Sequence, residues 1–415
     1  MTSDVLDQLE DSLSSPSPGN EVSDELIAIL RSDSNGKKDW GRVKLSDVAE
    51  VVGRGVTPRY TEDEGLLVVN QRCIRDGRIV FHNARRHDVE SKSVSAHKYL
   101  KLNDIIVNST GVGTLGRTAF VDSMIEPMTV DTHVTIVRPS SDIDPRWLKF
   151  MVSCSENIIE DMAEGSTGQT ELKREKISAL EFDLPPLHIQ KQIADLLSVF
   201  DEKIELLRAQ NKTLESIALN VFNNMFFGNA KFAKQRLGEL VDVKRGGSPR
   251  PIQDYLSEEG FRWLKISDAS ATASPFIFNI KQHIIKEGLS KTTYLSAGTL
   301  VLSNSATPGI PKILAIDTCI HDGWLHFPKS AFSNEFLYLL FIRIRPELIQ
   351  QGSGSVFTNL KTDILKGYRA PLPDGETLKK FNLAVQPIFI KMFENNLGMQ
   401  NCDKTMSSFM GKILS

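Results

Sequence analysis

The sequence predicts an α/β (α+β) chain built as a tandem repeat, with two globular domains separated by two long helices that form an antiparallel coiled coil. Three observations carry this. Landmark segments recur in the same order at a near-constant offset. Two stretches of about forty residues keep a helical apolar period, and short β-branched runs alternate with helical ones inside each repeat. The length of 415 residues suits two or three domains, and 40% apolar with 24% charged residues supplies packed cores.

Residues 1–39 hold nine acids (Asp4, Asp7, Glu10, Asp11, Glu21, Asp24, Glu25, Asp33, Asp39) against Arg31, Lys37 and Lys38, a net of −6 in a chain totalling −3. The other 376 residues therefore carry +3, enough to permit contact with DNA and too little to argue for it alone. SSPSPGN (14–20) has linker composition, and VSDELIAILRS offers one short helix capped by Ser23 within an acidic, partly disordered extension. A domain over 40–186, a helix over 187–228, a second domain over 229–373 and a second helix over 374–415 follow.

LSDVAEVVGRGVTP (45–58), LNDIIVNSTG (102–111), GSTGQTELK (165–173) and LPP (184–186) are answered by LGELVDVKRGGSP (237–249), AGTLVLSNSATPG (297–309), GSGSVFTNLK (352–361) and LP (372–373). The offset is 192 at Leu45/Leu237, 191 at Pro58/Pro249, 187 at Gly165/Gly352 and 188 at Leu184/Leu372. Chance does not order four landmarks this way. Within each repeat, β-branched or alternating segments at 104–109, 132–139, 299–304 and 312–317 read as strands, and 146–162 and 334–350 read as helices.

The long runs carry the clearest period. Ile193, Leu196, Phe200, Ile204, Leu207, Asn211, Leu214, Ala218, Val221 and Met225 follow steps of three and four, as do Leu378, Phe381, Val385, Ile388, Met392, Asn395, Met399, Cys402, Met406, Phe409 and Ile413. Each seam lasts about five heptads, roughly 60 Å of helix, and the two pair most simply with each other. Each holds one asparagine, and Asn211 and Asn395 are placed to meet and fix the register; leucine at Asn211 would raise stability while loosening it. Pro387 predicts a kink in the second helix.

Several chemistries lack their residues. The four cysteines (Cys73, Cys154, Cys319, Cys402) form no CxxC pair, which fits a reducing cytosol, and the eight histidines show no HExxH spacing, so a metal site has no support. No apolar run is long enough for a membrane span. GVGTLGRT (111–118) nearly matches a phosphate loop but has Arg117 in the lysine position, leaving an ATPase as a minor alternative. No tetrapeptide of the NPPY type is present to hold a base amino group, and no acid-and-lysine set surrounds a nuclease metal. The chain reads as non-catalytic.

Two features suit nucleic acid. Gly-rich basic loops open both repeats, GRGVTPRY (53–60) and KRGGSPRP (244–251), where glycine lets backbone approach a phosphate and arginine pairs with phosphate or guanine. The candidate DNA contacts of the first repeat are Arg54, Thr57, Arg59, Arg72, Arg75, Arg78, Arg85, Arg86, Ser109, Thr110 and Arg117. Those of the second are Lys244, Arg245, Ser248, Arg250, Lys265, Ser303, Asn304 and Lys312. Polar loops at 166–169 and 353–355 add backbone donors.

This pattern resembles the specificity subunit of type I restriction-modification systems over residues 40–415: two target-recognition domains, each opened by a G-x-[TS]-P loop, separated by long helices that follow LPPL (184–187) or LP (372–373). LPPLHIQKQIADLLSVFDEKIELL (184–207) is similar to the family's central region. The resemblance implies that each domain reads one half of a split double-stranded DNA target and that the coiled coil sets the spacer. It also implies docking of two modification subunits, addition of restriction subunits, and a cytoplasmic location. The chain itself would hold no cofactor, with S-adenosylmethionine, Mg2+ and ATP on the partners. A coiled-coil scaffold that does not read DNA is the alternative from another class.

Overall fold

The β-branched run Val134–Pro139 lies inside a four-stranded antiparallel sheet, flanked by Ala49–Arg54 and Ile105–Asn108, with Thr118–Phe120 at the far edge. The computed structural model describes residues 40–75, 77–111, 113–164, 171–228, 232–352 and 359–414. The acidic extension with its expected helix, and the polar loops at 166–169 and 353–355, lie outside the described residues. Ile105, Val107 and Val137 turn one face of this sheet onto Trp147, Leu148 and Met151 of the helix Pro145–Cys154. Ile106, Val134 and Ile136 turn the other onto a second sheet, in which Leu66–Val69 pairs parallel to Met128–Val130 and antiparallel to Arg85–His87. Both faces are covered, so Ile105, Ile106 and Val107, like Ile136 and Val137, are apolar in succession rather than alternating.

The second repeat uses the same plan about 190 residues later. Val241–Arg245, Trp324–Ser330, Leu300–Ser303 and Pro311–Leu314 form the matching antiparallel sheet. Phe261–Leu264 again pairs parallel to Thr318–Ile320. A two-stranded ribbon closes each repeat, Gly41–Lys44 with Glu181–Leu184 and Ala233–Arg236 with Arg369–Leu372, and each ribbon runs into a long helix.

The run over 146–162 does not stay one helix. It breaks at Ser155, whose hydroxyl donates to the Met151 carbonyl at 2.8 Å and whose ψ of 5° leaves helical space; a shorter helix, Glu156–Asp161, follows. The long helices span Leu187–Phe226 and Gly375–Leu414. Contacts divide the chain into two units, residues up to Lys203 with Asn401 onward, and Ile204–Gln400, so each unit takes part of both long helices. In the first unit, Ile189, Ile193, Ala194 and Leu197 share a core with Phe409, Met410 and Ile413.

In the second unit the long helices run antiparallel, and Asn395 Nδ2 donates to Asn211 Oδ1 at 2.8 Å and to Gln210 Oε1 at 2.8 Å. Toward its end the first long helix buries Ala218, Phe222 and Phe226 in place of Val221 and Met225. Here Phe222 and Phe226 pack edge-on against Phe381 of the second long helix and against Phe336 of the helix Asn334–Gly352 in the core of the unit. The helix continues through Pro387. Pro387 faces outward, as does Leu383 one turn earlier, so the carbonyl that loses its bond is free to meet water.

Asn395 is buried, which reverses the expected sign for a single leucine substitution. Asn211→Leu leaves Asn395 short of one partner and is expected to cost ~1–2 kcal/mol, while the double replacement by leucine is expected to raise stability and loosen register. Thermal unfolding of the two variants checks this.

Candidate nucleic-acid interface

The opening loop of each repeat is built by the same bonds. Gly55 N–H donates to the Val134 carbonyl (3.2 Å) and Val56 N–H to that of Val130 (2.9 Å). In the second repeat Gly246 N–H donates to Trp324 (3.0 Å) and Gly247 N–H to Ile320 (3.3 Å). A Cβ on Gly55 would lie 2.0 Å from the Val130 oxygen, and one on Gly246 2.3 Å from that of His321. Gly55 and Gly246, expected to admit a phosphate, are instead pressed against the protein's own backbone.

The arginine before each glycine is likewise committed. Arg54 donates to the carbonyls of Thr132 (2.6 Å) and Leu172 (2.7 Å) and to the Glu171 carboxylate (3.0 Å). Arg245 donates to the Asp322 carbonyl at 2.8 and 3.2 Å. Thr132 and Asp322 hold equivalent places in the turn before the strands Val134–Pro139 and Trp324–Ser330, so one arginine clamps one turn in each repeat. Arg54 is therefore committed within the protein, which corrects its reading as a DNA contact, whereas Arg245 makes the matching bond from an exposed position.

The strand ends that follow are structural too. Ser109 is buried with its hydroxyl 2.7 Å from that of Thr135, and its carbonyl accepts from Leu172 N–H at 2.9 Å. Asn304 is buried in the same place, its carbonyl accepting from Leu360 N–H at 2.8 Å. Ser303 is buried and donates to the Thr307 carbonyl at 2.6 Å. Lys312 is buried among the carbonyls of Thr272 and Ser274, and burial pushes its ammonium down to about 8. None of these four offers a surface to DNA. The sequence pattern missed this because Pro311–Leu314 is covered on both faces, so a lysine there enters the protein through its long apolar stem.

Two more arginines bond to the protein itself. Arg86 makes a bidentate pair with Glu126 (2.8 and 2.9 Å) and donates to the Gly65 carbonyl (2.7 Å). Arg117 folds back onto the Gly113 carbonyl at 2.7 Å. Thr118, which would face a magnesium ion in a phosphate loop, instead donates its hydroxyl to Glu156 at 2.6 Å and begins a strand. A phosphate loop opens a helix whose N-terminal amides hold the anion, and that helix is missing at 118. The stretch does not have the geometry of a nucleotide site. Thr110 is half-buried and bonded to Gln71 and His133, Arg75 donates to the Ile74 carbonyl, and Arg78 is half-buried in the same hairpin.

An exposed set remains. Arg59, Arg72 and Arg85 are exposed in the first repeat, and the Arg85 guanidinium lies 3.6 Å above the Tyr60 ring. Thr57 is exposed beside them, its carbonyl taken by the Lys92 ammonium at 2.9 Å. In the second repeat Lys244 is exposed, and Arg250 reaches the Asp322 carboxylate at 3.1 Å with its side chain 79% exposed. The Ser248 hydroxyl donates to the same carboxylate at 2.7 Å and holds it below the usual carboxylate range. Lys265 is half-buried, and its own N–H is capped by Asp268. Reading of the sequence missed Tyr60, although an aromatic residue ending GRGVTPRY was the available signal. It also missed Asp322, which no local pattern marks.

If the two arginine clamps are structural, Arg54→Ala and Arg245→Ala lower thermal stability by ~1–3 kcal/mol each. Arg59→Ala, with an exposed side chain, leaves the melting temperature in place and alters only binding. Thermal unfolding beside DNA titration separates the two classes.

The chain is similar to named relatives along most of its length. It is 23% identical over 370 residues to the putative type I restriction enzyme MjaX specificity subunit of Methanocaldococcus jannaschii, covering 82% of this chain and 85% of that one. It is 22% identical over 415 residues to the type I restriction enzyme MjaIX specificity subunit of the same organism, covering 91% and 93%. Superposed on the crystal structure of the type I restriction-modification system S subunit from M. genitalium, it covers 91% of this chain and 96% of that one at 14% identity, with a TM-score of 0.46. The profile of the type I restriction modification DNA specificity domain matches twice, over residues 37–216 and 229–391, one match for each repeat described above, and the chain belongs to that family.

Proposed function

We propose that this chain is the DNA-recognition subunit of a type I restriction-modification complex, in which each repeat reads one half of a split target. The observation that carries this reading is a loop scaffold made twice from the same backbone bonds and the same arginine clamp, with different side chains exposed around it. Arg59, Tyr60 and Arg85 stand on the first scaffold; Lys244 and Arg250 stand on the second. A fixed frame with varied exposed residues is what two readers of different half-sites require.

The other parts of the reading rest on family membership. The chain is non-catalytic and holds no cofactor of its own. Two modification subunits dock on it and bring S-adenosylmethionine, and restriction subunits bring ATP and Mg2+. The two helices set the spacer, and a repeated chain offers two similar faces to two copies of one partner. The complex works in the cytoplasm; among the described residues no helix is long and apolar enough to cross a membrane.

Titration of the chain with its modification subunits against duplex DNA tests this over the coiled-coil scaffold reading. Recognition predicts tight, salt-dependent binding to one split sequence, weakened by Arg59→Ala or Arg250→Ala. A base-reading arginine costs ~1–3 kcal/mol and relaxes one position, and a phosphate contact lowers affinity for all sequences alike. Binding indifferent to sequence and to both substitutions would favour the scaffold.

A further inference from the structure

Among the arginines of the first repeat, Arg54, Arg86 and Arg117 spend their donors on carbonyls or carboxylates of the protein. Arg85 does not. Its guanidinium carbon lies over the Tyr60 ring, 3.6 Å from the centroid, and it meets no acceptor among the described residues. Both side chains are exposed. Stacking fixes the plane of a guanidinium while leaving its edge, with parallel N–H donors, open to solvent.

The platform beneath is rigid. Tyr60 pairs across the sheet with His87, and Arg85 lies two residues from His87 on the same strand, so all three share one face. His87 is fully buried. Its Nδ1 accepts from Arg59 N–H at 2.9 Å, which leaves the proton on Nε2 to donate to the Lys92 carbonyl at 2.9 Å. The backbone on either side of Tyr60 is thus tied down, by this bond and by the ladder to Arg86. Arg86 points to the opposite face, where Glu126 holds it.

We infer that Arg85, oriented by Tyr60, reads a guanine in the half-site recognised by the first repeat. This rests on the DNA-recognition reading above and names the residue and the base. Guanine offers two acceptors, N7 and O6, on its major-groove edge, spaced for the two donors of a planar guanidinium. Adenine places a donor where O6 would be, and so rejects the same pair. Tyr60 is a positioning residue, since it acts through Arg85. The second repeat lacks the device: in the equivalent sheet register, Leu256 stands where Tyr60 does and Gln282 where Arg85 does. The effect is therefore confined to one half of the target.

The test uses the assembled complex of this chain with its modification subunits, and the readout is the methylated motif in cellular DNA together with competition by duplexes changed at single positions. The half-site of the first repeat is the half that changes when residues 40–186 are exchanged. Arg85→Ala is expected to make one guanine of that half degenerate, with discrimination there falling about ten- to a hundredfold. Arg85→Lys is expected to relax the same position, because a flexible ammonium lacks the planar fork that stacking on the Tyr60 ring holds in one orientation. Tyr60→Leu should weaken discrimination at that guanine alone, and Tyr60→Phe, which keeps the ring, should restore it. The other half-site, read by the same molecules, reports that each variant is folded. A uniform loss at all positions would show a phosphate contact, and an unchanged motif would show no contact; either overturns the assignment while leaving the recognition reading in place. A wild-type complex without sequence preference would overturn both.

Discussion

Gly55→Ala is expected to lower the melting temperature of the first unit by roughly 6–12 °C, the equivalent of ~3 kcal/mol or more in a unit of this size. The new methyl group would stand 2.0 Å from the Val130 oxygen and 2.5 Å from that of Asp131, both of them backbone atoms that no rotamer change can move. Relieving the clash needs a backbone shift of more than about 1 Å, which breaks the bonds from Gly55 and Val56 to the strands beneath. Gly246→Ala should do the same in the second unit, where the contacts would be 2.3 and 2.6 Å. Gly53→Ala is the control two residues away, because its Cβ would meet only Val51 at 3.8 Å, and it should leave the transition in place or raise it slightly. Calorimetry that resolves the two units checks all three.

A second large effect is expected in the long helices. Duplicating Thr213–Ser216 advances the first long helix by about one turn, roughly 6 Å at 1.5 Å per residue. If the paired helices set the distance between half-sites, the preferred spacer should lengthen by one or two base pairs at about 3.4 Å each, with both half-site sequences unchanged. A one-turn insertion nearly preserves the buried face, so Leu214 and Ala218 still point into the core. Two added residues would instead rotate the helix by about 200°. That turns the Asn211 face away from Asn395 and should unfold the second unit. The methylated motif of the four-residue variant is the measurement, and an unchanged spacer in an active variant would assign the ruler to another element.

The parts of this fold that were legible in the sequence are those set by local periodicity. The apolar steps of the long helices are read from one segment at a time, and so are the β-branched strands at 105–108 and 134–139. The duplication was legible because both copies keep the same punctuation, LPP or LP before a helix and G-x-[TS]-P after a strand. The roles of the basic residues were not legible, because they depend on contacts distant in the chain. Arg54 is committed by Thr132 and Leu172, and Arg86 by Glu126, none of which is near in sequence. Lys312 reads as a surface lysine until the sheet is seen to be covered on both faces. For the glycines the signal was present and the partner misassigned: a close backbone approach was needed, and it is made by the adjoining strand rather than by a phosphate.

Two repeats of one frame read two independent half-sites. Exchanging residues 40–186 for the corresponding domain of another family member, followed by sequencing of methylated DNA from cells carrying the hybrid complex, tests it most directly. A hybrid motif is expected, in which one half and the spacer persist and the other half becomes that of the donor. A motif altered in both halves, or left wholly unchanged by an exchange that keeps the complex active, would contradict it.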